Sequence, residues 1–411
     1  MNRNNVTFVI LGGTGDLARK KLFPSLFYLF RKGKLTEFDI VGTARQDLSR
    51  ETYRNIACTN IEQGQDREEF REHIHYVQLD FDRPNNYLDL KKRLLDCADH
   101  RLFYLATLPG HFNEITENLA EHGLVNESSK VLYEKPFGED LRSAQELNDS
   151  ISKVFPEDKI YRIDHYLDKE LVGMLSILRF SNTIFDPLLK SEFVDHVQII
   201  ASENFGVEER GEFYDRYGAI KDFFQSHLLQ LLSLIGMSPP ERFDANSIRD
   251  EKVKALKEVN ILDSIVGQYR GYREEQGVRS DSTTETLIAT KVELNTGRWA
   301  GVPFYLLSGK NLPKKYSQIY VQFRNRTTIM PAESDGLAPN TLVVSIDPDK
   351  GIYLTINTKV PGELRTERAR MEFCHTCHHG PNTPDAYENL LAQAIAGDQR
   401  SFVRYDEIEE Q

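Results

Sequence analysis

The sequence predicts two domains of different class. The first, residues 1–164, is an α/β domain with a doubly wound parallel sheet; the second, 165–411, is a larger α+β domain with a mostly antiparallel sheet. Three observations carry this reading. Short apolar runs alternate with helical patterns in the first part, and strand-like runs follow one another with few helices in the second. Between them lies a dense polar motif at 161–169. Strand–helix alternation implies parallel strands, because each crossover places a helix on a face of the sheet. Strands without intervening helices imply antiparallel pairing. A chain of 411 residues is also long enough for a large core without disulfide or metal staples.

In order, Val6–Leu11, Phe38–Val41, His75–Leu79, Leu102–Ala106 and Lys130–Tyr133 read as strands of the first domain. Leu22, Leu26, Leu29 and Phe30 give the first helix its apolar face. A helix around Lys169–Phe180 opens the second domain, followed by a strand at Val194–Ala201 and a long helical pattern over Gly218–Met237. The polar stretch Tyr272–Ser282 reads as a loop. Further strands are expected at Leu287–Leu294, Phe304–Ser308, Ile319–Phe323, Thr341–Ile346 and Ile352–Lys359.

Acidic residues outnumber basic ones 63 to 51, a net charge of −12 that argues against a nucleic-acid or anionic-membrane binder. The apolar run Leu228–Met237 falls far short of the roughly 20 residues a membrane span needs. The N-terminal apolar run is too short for a signal-peptide core. Four cysteines make no disulfide framework, so a reducing, cytoplasmic setting is expected.

The first strand runs into Gly12-Gly13-Thr14-Gly15-Asp16-Leu17-Ala18, and a helix follows at once. This is a G-x-x-G-x-x-A variant of the dinucleotide fingerprint and marks the first domain as Rossmann-type. Gly12 and Gly15 permit a tight turn, Ala18 permits close helix–sheet packing, and a pyrophosphate would meet the free N–H groups of the helix start. The second strand ends in Gly42-Thr43-Ala44-Arg45-Gln46. An NAD-preferring fold places an acid there for the ribose hydroxyls. Arg45 suits a 2′-phosphate instead, which favours NADP while leaving NAD open.

The motif Tyr161-Arg162-Ile163-Asp164-His165-Tyr166-Leu167-Asp168-Lys169 lies at the expected domain junction, a common place for a substrate site. Read alone, such a cluster is more often a capped helix start with solvated charges. The chain as a whole, however, resembles the glucose-6-phosphate dehydrogenase family. The resemblance rests on GGTGDLARKKLFP (12–24), GTARQ (42–46), EKPFGEDL (134–141), RIDHYLDKE (162–170), RGEFYDRYGAIKDFFQSH (210–227), GQY (267–269) and GVPFYLLSGKNLPKK (301–315). These occur in the family's order and span most of the chain, and the RIDHYLxKE pattern is specific to it.

The resemblance implies oxidation of glucose 6-phosphate at C1 with NADP as acceptor, by a homodimer or homotetramer. It makes His227 the general base and Asp164 the carboxylate that orients it. His165, Tyr166 and Lys169 fall on sugar-phosphate ligands, and Glu203 and Asp222 on acceptors for sugar hydroxyls. Lys135 lies between substrate and coenzyme, Lys310 and Lys315 fall on further basic positions, and Lys21 lies on a helix facing the same cleft. Gly12, Gly13, Thr14, Gly15, Asp16, Leu17, Arg45, Tyr104 and Lys135 make up the coenzyme set. Chemically the pairing is sound: hydride loss from a hemiacetal carbon requires removal of the hydroxyl proton, and a carboxylate fixes the imidazole tautomer. Without the resemblance, His227 reads as a packed histidine beside Leu228, Leu229, Leu231 and Leu232.

The chain departs from the family pattern at several positions. Ser226 stands where Asn is usual, Asp168 where Gly is usual, Gly173-Met174 where Gln-Asn is usual, and Leu189-Lys190 where Trp-Asn is usual. It is also shorter around 240–265 and after Phe402–Glu407, so a C-terminal structural coenzyme site is not carried over. These departures keep open a paralogue acting on another hexose 6-phosphate. A non-catalytic NADP-sensing protein is a rival of a different class; the retained base, carboxylate and phosphate ligands argue against it. Cys374-His375-Thr376-Cys377-His378-His379 formally matches a c-type haem signature and offers zinc-type ligands. No second C-x-x-C exists, so an exposed polar loop and no bound metal are expected.

Overall fold

The computed structural model describes residues 5–325, 337–363, 365–379 and 386–411. Strands β1 (Asn5–Leu11), β2 (Glu37–Ala44), β3 (Ile74–Gln78), β4 (Arg101–Leu105), β5 (Lys130–Glu134) and β6 (Ile160–Ile163) form a parallel sheet in the order β6-β5-β4-β1-β2-β3. The reversal of order at β1 and β4 is the switch point at which doubly wound sheets bind ligands. Alternate residues of one strand enter two cores: Phe8 and Ile10 pack with Leu22, Leu26 and Tyr53, while Val9 and Leu11 pack with Val41, Phe103 and Tyr133. Burial on both faces explains why these strands are continuous apolar runs.

The first sheet holds two elements that the sequence did not reveal. Strand β6 is the IYRI segment of the polar motif and pairs with β5 through Leu132↔Tyr161. At its other edge Phe402 pairs antiparallel with Ile163. The helix Ala386–Ala396 buries Leu390, Leu391 and Ala394 in the same core as Leu26. Lys130 Nζ meets the last carbonyls of that helix at Ala394 (2.6 Å) and Ile395 (3.1 Å), a cationic cap on exposed C=O groups. The expected second domain of 165–411 is therefore corrected. The break falls between Asp168 and Lys169, and the C-terminal helix and strand return to the first unit.

In the second unit, β7 (Val194–Ser202), β8 (Val259–Gly267), β9 (Leu287–Leu294), β10 (Phe304–Gly309), β11 (Tyr316–Phe323), β12 (Thr341–Asp347), β13 (Gly351–Lys359) and β14 (Thr366–Cys374) form one sheet in the order β14-β13-β12-β11-β7-β10-β9-β8. It is antiparallel except for the β7–β10 pair. The edge strands β8 and β14 were not expected. β8 is exposed on both faces and β14 is dense in charge, so neither shows the half-buried alternation that betrays a strand.

The single helix expected over Gly218–Met237 is three segments: Gly211–Ala219, a π-helix Ile220–Leu228, and Leu229–Gly236. Gly218 breaks it with φ +65°, and a Cβ there would lie 2.3 Å from Glu285 Oε1. The freed N–H of Ile220 donates to that same oxygen at 2.9 Å. The loop at 272–282 is tethered as well: Tyr272, Arg279 and Ser282 all donate to the Asp215 carboxylate. No helix among the described residues is long and apolar enough to cross a membrane.

Candidate active site

In the first unit the coenzyme loop is shaped by close backbone approach. Gly12 has φ +90°, and a Cβ on it would lie 2.5 Å from the Ala106 carbonyl. One on Gly13 would lie 2.2 Å from the hydroxyl of Tyr53, which donates to the Gly13 carbonyl at 3.2 Å. The N–H groups of Gly12 and Gly13 bond the Thr43 carbonyl, and Gly15 N–H closes the turn on Gly12. Thr14, Gly15 and Leu17 are half-buried and Ala18 is buried where the following helix starts. Asp16 points outward, and hydrogen bonds from Lys20 and Arg19 hold its carboxyl below the usual range. A chain turned this tightly at a helix start fits a pyrophosphate.

Arg45 is exposed at the tip of β2, and its guanidinium makes no ion pair among the described residues. Lys21 is exposed one turn into the helix. Tyr104 is placed differently from an open coenzyme contact: its side chain is 2% exposed and its hydroxyl donates to Glu134 Oε1 at 2.5 Å. Tyr387 donates to the same oxygen at 3.1 Å. Glu134 and Tyr387 were both missed as parts of this network. Tyr387 comes from a helix more than 250 residues away in sequence, which no local pattern announces.

Lys135 is half-buried beside Glu134, and its peptide bond to Pro136 is cis. Beyond β6, Asp164 is buried and its Oδ1 accepts from Tyr166 N–H at 2.8 Å. The His165 ring meets Tyr166 edge-on at 5.3 Å. Asp168, the departure noted above, is turned into the interior at 4% exposure.

In the second unit, Asp222 and His227 both lie on the π-helix Ile220–Leu228. Positions five apart diverge around an α-helix of 3.6 residues per turn, and i→i+5 bonding brings them nearer to one face. Asp222 is 5% exposed and His227 fully buried, with the Phe223 ring edge-on to the imidazole at 5.0 Å. Ser226 donates its hydroxyl to the Asp222 carbonyl at 2.8 Å. Glu203 follows β7 and accepts from Lys310 Nζ at 2.5 Å. Lys310 is 7% exposed and lies over the rings of Phe205 and Tyr214. The ammonium of exposed Lys315 sits over Phe205 as well. Lys169, expected to meet a phosphate, forms an ion pair with Asp347 at the end of β12. Asp347 was invisible to sequence reasoning because it lies 178 residues from Lys169.

The Cys374–His379 segment is not the expected polar loop. Cys374 ends β14 opposite Gly351, Cys377 lies in the short helix His375–His379, and a disulfide joins the two cysteines. Cys58 and Cys97 are free. Elsewhere, Asp82, His111 and Glu114 bring ligand-type atoms within 4.8 Å of one another, Asp82 exposed and the other two half-buried.

The glycine turn of the first unit fits the pyrophosphate of a dinucleotide. Buried imidazole, carboxylate and ammonium groups in the second unit suit a polyhydroxylated anion. The class is an NAD(P)-dependent oxidoreductase acting on a sugar phosphate. Residues 9–173 match the model of the glucose-6-phosphate dehydrogenase NAD-binding domain, and 176–411 match that of the C-terminal domain. Glucose-6-phosphate 1-dehydrogenase of Bacillus subtilis (strain 168) is 37% identical over 97% of this chain and 88% of its own length. The enzyme of Rhizobium meliloti (strain 1021) is 39% identical over 98% and 88%. A solved glucose-6-phosphate dehydrogenase in complex with its substrate glucose-6-phosphate superposes with a TM-score of 0.91 at 37% identity, covering 99% of this chain and 89% of that one. The chain belongs to the glucose-6-phosphate dehydrogenase family.

Proposed function

We propose that the chain oxidises D-glucose 6-phosphate at C1 to 6-phospho-D-glucono-1,5-lactone, the first step of the oxidative pentose phosphate pathway. NADP is the acceptor, with NAD as an alternative. The observation that carries this reading is the near-complete superposition on a family member holding glucose 6-phosphate. When bound, the coenzyme supplies the nicotinamide carbon that accepts hydride. The Gly12–Gly15 turn fits its pyrophosphate, since a Cβ at Gly12 would run into the Ala106 carbonyl and one at Gly13 into the Tyr53 hydroxyl, and only bare backbone turns this tightly at the helix start.

His227 takes the C1 hydroxyl proton. Burial on the π-helix withholds it from bulk water, and a neutral imidazole is the form that accepts. Asp164 orients that imidazole and stabilises the imidazolium. His165, Tyr166 and Lys169 hold the phosphate, Lys169 exchanging Asp347 for the ligand. Glu203 and Asp222 accept from sugar hydroxyls, Lys310 and Lys315 add positive charge, and Lys135 lies between the two ligands. Arg45 recognises the 2′-phosphate. We read the enzyme as a cytoplasmic homodimer or homotetramer, which light scattering on the eluting protein tests directly.

Following nicotinamide reduction with a panel of hexose 6-phosphates and either coenzyme tests the activity. The highest kcat/KM is expected for glucose 6-phosphate with NADP. A modified hexose 6-phosphate turned over faster than glucose 6-phosphate would replace the substrate assignment.

A further inference from the structure

Three carboxyl groups of the first unit lie within electrostatic reach of one another. Glu134 ends β5, Asp164 follows β6, and Asp168 lies four residues further on. The Tyr104 hydroxyl faces them from β4, Tyr387 faces Glu134 from the C-terminal helix, and Lys135 is a cation that acts on Glu134. Carboxylates this close in a low-dielectric interior cannot all ionise, because each charge raises the cost of the next. Hydrogen-bond donors decide which of them stay charged.

The donors are unevenly shared. Glu134 accepts from Tyr104 at 2.5 Å and Tyr387 at 3.1 Å, and Asp164 accepts from Tyr166 N–H at 2.8 Å. Asp168 is 4% exposed, and neither of its oxygens has a hydrogen-bond partner among the described residues. A buried carboxylate without donors is the costliest of the three to ionise. The family pattern has a glycine at this position, so the family's usual machinery does not call for this side chain.

We propose that Asp168 is a positioning residue: it keeps its proton at neutral pH and so leaves the negative charge of this cluster to the carboxyls that have donors, Asp164 foremost. The inference rests on the reading of Asp164 as the carboxylate that serves the base. Burial, then Asp164 and Glu134, push the Asp168 carboxyl well above the ordinary carboxylate range. As pH rises through that raised value, a further negative charge develops beside Asp164. It repels two anionic ligands and weakens their capture on the alkaline side.

The same proton appears in the stability. The unfolded chain releases it near pH 4, at about the free aspartate value, while the folded chain retains it to higher pH. Folded protein then binds more protons than unfolded, and stability falls as pH climbs between the two values. Asp168→Asn keeps the shape and cannot ionise, so its advantage in Tm over wild type grows across that window.

Infrared difference spectra of wild type against Asp168→Asn at neutral pH test the protonation. A C=O band of a protonated carboxylic acid, lost in the variant, is expected; carboxylate bands alone would overturn the proposal. The ratio of variant to wild-type kcat/KM is expected to rise severalfold toward alkaline pH, through KM for both anionic ligands rather than kcat. Coincident pH profiles would overturn the positioning role. Asp168→Gly repeats both measurements should the Asn variant not fold. His227→Asn keeps the two readings distinguishable: full turnover there would sink the site assignment while the infrared band stood.

Discussion

At the coenzyme loop, geometry is set by backbone and by the absence of side chains: Gly12 against the Ala106 carbonyl, Gly13 under Tyr53, and Ala18 buried at the start of the helix. At the π-helix of the second unit, geometry is set by charged side chains whose partners come from distant segments. Glu203 meets Lys310 across 107 residues, and the helix carrying Asp222 and His227 starts on Glu285 across 65. The first region also draws on distant segments, those of Ala106 and Tyr53, but what they bring is backbone and a ring that leave room for almost no added atoms. In the second, the distant segments bring charged side chains that must be paired.

The largest expected effect tests the second region. His227→Asn should reduce kcat by about a thousandfold, the usual contribution of a positioned base, with substrate affinity retained. Turnover within severalfold of wild type would remove the base from the π-helix. The first region is broken most directly at Gly13→Ala, whose Cβ meets Tyr53 Oη at 2.2 Å. An overpacked site of this kind loses about 1–3 kcal/mol. Tyr53→Phe in the same chain removes the clashing oxygen and should restore part of the loss in urea unfolding. If the double variant is no more stable than Gly13→Ala alone, the close approach is not what constrains the loop.

Glu203→Gln leaves the buried Lys310 ammonium without its carboxylate. Because Glu203 is 21% exposed, the loss should fall short of a fully buried pair, at about 1–3 kcal/mol. The second region thus predicts a stability loss alongside a raised KM; a raised KM with unchanged Tm would make the pair purely a ligand contact. The smallest effect concerns Arg45→Ala, which should weaken NADP by roughly tenfold, about the worth of one charge-assisted hydrogen bond, and NAD far less. Equal losses for both coenzymes would remove the 2′-phosphate role from this side chain.

Much of the fold was legible because its signals are local. Continuous apolar runs marked β1 to β5, and alternation marked β9 to β12, within one or two residues at most ends. β6 was hidden inside a motif whose polar residues drew attention to chemistry, and β8 and β14 lack a buried face to pattern. The helix expected over Gly218–Met237 ends where expected but begins earlier, at Gly211, and is different in kind. A π-helix and a helix interrupted at Gly218 have the same composition, and the difference depends on Glu285 arriving from elsewhere.

By itself, the sequence determined the coenzyme turn, the class of each sheet and the residues that carry the family pattern, because each depends on spacing within one segment. Only the tertiary structure decided where charge resides: Lys169 on Asp347, Lys310 on Glu203, and Tyr104 with Tyr387 on Glu134. It also decided that Asp168 lies inside without a donor among the described residues, and that the C-terminal helix completes the first core. The physical reason is the same throughout. Burial and pairing of charge are properties of the space between segments, and no window of neighbouring residues contains that space.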